Sequence, residues 1–194
     1  MRKYLVLATI LFVLALSACV KVEINAGETT DDTVGSKSEV KSKGNSKEQG
    51  LKLQVLKGDK DAGVTVESNQ LYSELEKVIQ QNPSIGAKND FSVYVVDTYS
   101  DDEENSKLVL LGINRLPVAI KDFTFSYTLG SNDNEYVWER QPVEMKEETA
   151  GILQPNSVLP IVLPITEEQV ELLRSLEEGN TVMAIDDFKF EEVK

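Results

Sequence analysis

The nine residues "KDFTFSYTL" at 121–129 alternate strictly: Phe123, Phe125, Tyr127 and Leu129 fall on one face, Asp122, Thr124, Ser126 and Thr128 on the other. A period of two over that length predicts a strand with one buried and one wet face. The stretch runs into "GSNDN" at 130–134, residues that suit a turn, and then "EYVWER", which predicts the returning strand of a hairpin. Similar runs predict further strands: "LKLQVL" at 51, "GVTVE" at 63, "FSVYVVDTY" at 91, "KLVLLGIN" at 107, "SVLPIVLP" at 157 and "TVMAIDDFKF" at 181. Short β runs parted by Gly, Asn, Asp and Pro predict a mainly β chain folded as an antiparallel sandwich.

Two segments change period. In "SNQLYSELEKVIQQNP", Leu71, Leu75, Val78 and Ile79 form one apolar stripe and Pro83 stops the run, which predicts a helix over about 69–81. In "TEEQVELLRSLEEGN", Thr166 and Gln169 form a capping box, Val170, Leu173 and Leu176 share a side, and Gly179 suits a C-terminal cap, which predicts a helix over about 167–178. Both are expected at the periphery, packed on the sheets. "IKDFTF" at 120 and "IDDFKF" at 185 share Ile, Asp, Phe and Phe at matching positions. The match is too short for a structural repeat, so two strands of similar burial are expected.

The N-terminal fifty residues follow different rules. Arg2 and Lys3 precede an apolar run from Leu5 to Leu16, and Ser17 and Ala18 supply the small residues of a cleavage site, the three parts of an export signal. The run is too short to span a bilayer core, which needs about 20 helical residues. From Ala26 to Gly50 the apolar residues are Ala26, Val34 and Val40 among Gly, Ser, Thr, Lys, Asp and Glu, a composition that buries too little surface to fold. As a tether of about 25 residues it would reach roughly 28 Å. "VKVEIN" at 20–25 alternates like a strand. The division expected is therefore 1–18 signal peptide, 19–50 modified cysteine and tether, and 51–194 a single β-rich domain.

Leu16-Ser17-Ala18-Cys19 resembles the lipobox of bacterial lipoproteins. That resemblance implies that Cys19 carries a thioether-linked diacylglycerol and becomes the mature N-terminus. The other reading is an ordinary secretory signal in which Cys19 is incidental, leaving one unpaired thiol in an oxidising compartment. A lipidated sulfur is neither nucleophile nor metal ligand, and two or three acyl chains make a stable anchor, at about 0.8 kcal/mol per buried methylene. Further along, "LLGINRLPVAIKDFTFSYTLG" and "GILQPNSVLPIVLP" resemble the immunoglobulin-like domains of bacterial surface proteins, in particular the SLAP domain of accessory-Sec S-layer assembly proteins. The resemblance spans about 90–194 and implies an immunoglobulin-like sandwich at a cell surface, with no catalytic residues.

Charge and residue types narrow the chemistry. The chain has 20 basic and 33 acidic residues, a formal charge of −13, and loss of residues 1–18 would remove Arg2 and Lys3 and no acid. That sign opposes nucleic-acid binding and attraction to anionic head groups. There is no histidine, which removes Ser-His-Asp and Cys-His catalysis and His-ligated zinc. "SEVK" at Ser38 to Lys41 matches S-x-x-K but lies in the tether, without its companion motifs. The acids Asp101, Asp102, Glu103 and Glu104 between two strands suggest a calcium loop, although their spacing departs from the EF-hand template and a solvated loop accounts for them. Tyr136 and Trp138 share a strand face and either present aromatics to a ligand or fill the core.

No cofactor is expected. These readings point first to a lipid-anchored cell-envelope protein with a non-catalytic interaction or assembly domain, whose partner is an envelope protein or wall polymer. A carboxylate-dependent enzyme or enzyme accessory acting on wall polymers is the second reading, and a small-ligand receptor the third. Val20 is not the aspartate of inner-membrane retention, so in a Gram-negative cell the outer membrane is expected. The surface-domain resemblance and the Lys/Ser-rich tether favour the outer face of a Gram-positive membrane.

Overall fold

The computed structural model describes residues 50–100 and 106–194, which lie in one compact unit, Ser46–Lys194. Its elements run β1 (Lys52–Leu53), α1 (Lys57–Asp61), α2 (Gln70–Gln81), β2 (Phe91–Ser100), β3 (Ser106–Asn114), β4 (Ile120–Ser131), β5 (Tyr136–Met145), α3 (Glu147–Ala150), β6 (Ser157–Pro164), α4 (Glu167–Ser175) and β7 (Thr181–Glu192). One sheet has the order β1-β6-β3-β2, the other β5-β4-β7. The chain is mainly β and sandwich-like, with few helices.

The alternating face of β4 becomes the centre of the sandwich. Phe123, Phe125, Tyr127 and Leu129 are 0–3% exposed and pack with Leu108, Leu110, Leu159 and Ile161 of the opposite sheet. Each such side chain contributes about 1.5–3 kcal/mol by leaving water. A second apolar cluster lies on the other face of the first sheet, where Leu75 and Ile79 of α2 meet Val109, Leu111, Ile113 and Val158. This explains why β3 reads as a continuous apolar run: it is covered on both faces.

The expected antiparallel pattern has one exception: β1 pairs parallel to β6, at Lys52–Ser157 and Leu53–Val158 only. Past Val158 that edge of β6 has no strand beside it among the described residues, and there Pro160 and Pro164 are tolerated despite lacking an N–H. The strand expected at 63–67 is absent. Gly63 takes a φ of 83°, and the Thr65 and Ser68 hydroxyls each accept from the other's backbone N–H, so side chains close a turn where no partner strand lies.

The short match between "IKDFTF" and "IDDFKF" has a geometric cause. Asp122 and Asp187, at the same place in each, take φ values of 44° and 54°, and the β4–β7 register shifts between Lys121 and Thr124 and again between Thr124 and Ser126. Each Asp is the extra residue of a bulge, one on either strand, so the two slips cancel. Ile and Phe three positions apart would face opposite ways in a regular strand; the bulge lets both face inward. Aspartate tolerates the left-handed conformation that a β-branched residue resists.

Both expected helices are present, α2 with the expected bounds and α4 ending earlier than expected. Asn69 caps α2 through the Tyr72 N–H, and its buried side includes Tyr72 as well as Leu75 and Ile79. The Thr166–Gln169 capping box is present, but α4 ends at Ser175 with Leu176 as its cap; Gly179, at φ 91°, belongs to the turn that follows. The short α1 and α3 add to the two expected helices. α1 is held by Tyr72, whose hydroxyl accepts from Leu56 N and donates to Asp59 Oδ2.

Candidate interaction surface

Of the residues singled out from sequence, Cys19, Ser38, Lys41, Asp101, Asp102, Glu103 and Glu104 lie outside the described residues. Trp138 is 7% exposed and belongs to the core cluster, so it fills the core. Tyr136 stays half-buried at the hairpin end, its hydroxyl donating to Asn134 Oδ1 at 3.2 Å. Gly130 is required there, because a Cβ would stand 2.4 Å from the Glu135 carbonyl. Among the described residues no three carboxylates cluster as a metal site.

Two shallow cavities lie on either side of the two-residue strand β1. The larger, about 620 Å³, is lined by Lys52, Leu53, Gln54 and residues 154–157. Its central polar group is engaged: Gln54 accepts from Gln154 N and donates to the Ile152 carbonyl. The smaller, about 350 Å³, opens beside Glu76, Ile79 and Gln80.

The two outer flanks of the sandwich are finished differently. On the β5 flank, α4 lies against the strand, Gln169 Nε2 donates to the Val137 carbonyl at 2.7 Å, and Val137, Trp138 and Val143 are buried. On the other flank β2 has only β3 beside it and β7 only β4, among the described residues. Register with the buried face of β4 turns Met183 and Ile185 inward, and Phe188 follows past the bulge. None of these is buried as their β4 neighbours are; β7 has no buried residue at all. Opposite them Val93 and Val95 of β2 are also half-buried.

An aromatic chain leads from the core to this flank. Phe91 on β2 stands 5.3 and 5.6 Å from Phe123 and Phe125, ring centre to ring centre, and stacks on Phe188 at 4.5 Å. Phe188 in turn stands 5.3 Å from Phe190, which is 39% exposed. The paired bulges at Asp122 and Asp187 set the rings that face inward. On the solvent side of the same sheet, Arg140, itself at φ 52° in β5, reaches across β4 to Asp187 Oδ2 at 2.5 Å and Asp186 Oδ2 at 3.4 Å. β7 thus carries Asp186, Asp187, Glu191 and Glu192 against one cation, Lys189.

Sequence reading placed β7 but not its openness, since the same alternation marks a covered and an uncovered edge. The available signal was the run of charges after Ile185, which a strand enclosed on both sides seldom carries.

No family model and no curated protein matches the chain. A solved structure described as the crystal structure of a protein from Archaeoglobus fulgidus is similar over 54% of this chain and 96% of that one, at 15% identity and a TM-score of 0.24. At that TM-score the likeness carries no inference of fold or function.

Proposed function

We propose that this chain is a lipid-anchored cell-envelope protein whose immunoglobulin-like sandwich works as a non-catalytic interaction or assembly module. The strand order supports the immunoglobulin-like part. Taken in sequence, β2, β3, β4, β5, β6 and β7 correspond to strands A, B, C, C′, E and F, with A-B-E in one sheet and C′-C-F in the other. The strand that would follow F has no counterpart among the described residues. The lipobox residues up to Cys19 support the anchor, and the outer face of a Gram-positive membrane is the setting that the surface-domain resemblance and the tether favour.

The observation that carries the module reading is the open flank: two strand edges with no neighbouring strand among the described residues, and half-buried apolar side chains between them. Such an edge is a template for another chain. Intact mass of the membrane-extracted protein beside Cys19→Ala tests the anchor. The expected result is a mature species beginning at Cys19, heavier by a diacylglyceryl group, with the variant unprocessed. An unmodified, soluble mature form would overturn it. Turnover of an envelope polymer abolished by one carboxylate substitution in residues 51–194 would overturn the non-catalytic part.

A further inference from the structure

We infer that the free edge of β7 binds an extended cationic segment of a partner protein, which adds as a strand and closes the open flank. The inference rests on the module reading above and names its surface and partner chemistry. Alternate residues of a strand direct N–H and C=O to each side, and on β7 one side is taken by β4 while the other has no partner among the described residues. A strand laid there would gain main-chain hydrogen bonds along up to twelve residues. Its inward side chains would cover Ile185, Phe188 and Phe190, and an added apolar residue beside the exposed Phe190 ring extends the aromatic chain already running from the core.

Charge decides between a second copy and a different partner. Asp186 and Asp187 are paired with Arg140, so in a β7–β7 pair of two copies it is Glu191 and Glu192 that meet their like, in a chain of formal charge −13. Like charges across a strand pair oppose association. The same acids attract a strand whose outward positions are lysine or arginine. The charges on this edge therefore keep copies apart and select a cationic visitor.

The test uses the full chain in detergent and a fluorescent ten-residue peptide alternating lysine with valine. Anisotropy should show saturable binding that weakens as salt is raised, because exposed charges are screened. The glutamate–valine peptide should not bind. N-methylation of alternate residues on one side of the peptide should abolish binding and on the other side leave it intact, since only one side pairs with β7. Glu191→Lys with Glu192→Lys should weaken binding about tenfold, as should Phe190→Ser, a substitution at an exposed position that leaves the fold intact. Absence of binding, equal binding of the glutamate peptide, indifference to N-methylation, or unchanged affinity in the Glu191/Glu192 variant would each overturn the inference. So would a concentration-dependent dimer of the free chain that excludes the peptide. A carboxylate-dependent turnover, by contrast, would overturn the module reading without touching strand addition.

Discussion

On the flank bounded by β5, the edge strand buries Val137, Trp138 and Val143 beneath a helix that also caps one of its carbonyls; on the flank bounded by β7, an edge strand of similar length buries nothing fully. Both strands belong to the same three-stranded sheet and both pair with β4. The difference is not one of strand propensity, since "TVMAIDDFKF" is as apolar as "YVWERQPVEM". It comes from what the described residues lay over each: α4 on β5, and the partly apolar edge of β2 near β7. The burial of an edge strand therefore follows its cover. Among the described residues the β5 flank is covered by a helix and the β7 flank is not.

The comparison breaks most directly at two aromatic positions. Trp138→Ala should lower the unfolding free energy by about 3–5 kcal/mol, read as a shift in urea midpoint, because a buried ring leaves a cavity. Phe190→Ala, at the end of β7, should cost less than about 1 kcal/mol. Equal losses would mean that the β7 flank is as much core as the β5 flank.

Asn114, on β3 between β2 and β6, sets the scale for a buried polar position. It is fully buried, its Nδ2 lies 2.9, 3.1 and 3.2 Å from the carbonyls of Val118, Leu153 and Gln154, and its Oδ1 accepts from Leu116 N. Asn114→Ala leaves those groups unpaired and should cost about 3 kcal/mol, measurable by the same denaturation. Asp187 sharpens the open side: Asp187→Val forces a β-branched residue into a positive φ and should cost about 2 kcal/mol, whereas Asp187→Gly should cost only a few tenths. Its ion pair with Arg140 is solvent-exposed and contributes little, so a large loss in the glycine variant would contradict the bulge account.

The smallest expected effect has the opposite sign. Tyr127 is buried in mid-sheet with no hydrogen-bond partner for its hydroxyl among the described residues, and burial pushes its phenol above the ordinary value of 10.0. Tyr127→Phe should therefore stabilise by about 1 kcal/mol. A phenol whose pKa is raised by folding holds its proton longer in the native state than in the unfolded chain. Its contribution is complete below pH about 10 and is lost as pH rises beyond it. Tyr72, raised by burial and by its bond to Asp59, acts in the same direction. The urea midpoint should fall above pH 10, less steeply in Tyr127→Phe; parallel falls in both proteins would contradict this assignment.

What was legible in the sequence were the features set by local period. β4 with its hairpin, β2, β3, β6, β7 and the two longer helices follow from alternation, stripes and caps. What was not legible depended on distant residues. α1, "KGDKD", has no apolar stripe and is held in place by Tyr72, more than ten residues away. The parallel pairing of β1 joins residues a hundred positions apart. "GVTVE" alternates for too few residues to resist the Thr65–Ser68 turn. The paired bulges were readable in principle, since Ile-x-x-Phe with both ends inward requires one extra residue, and an aspartate stands where it is needed.

The central claim is that the β7 flank is open for a partner strand and the β5 flank is not. Amide hydrogen exchange of the full chain, with and without the lysine–valine peptide, reads both edges in one experiment. The account predicts that alternate amides of β7 slow markedly on adding peptide while those of β5 stay unchanged. Slowing at β5, or at both edges alike, would contradict it.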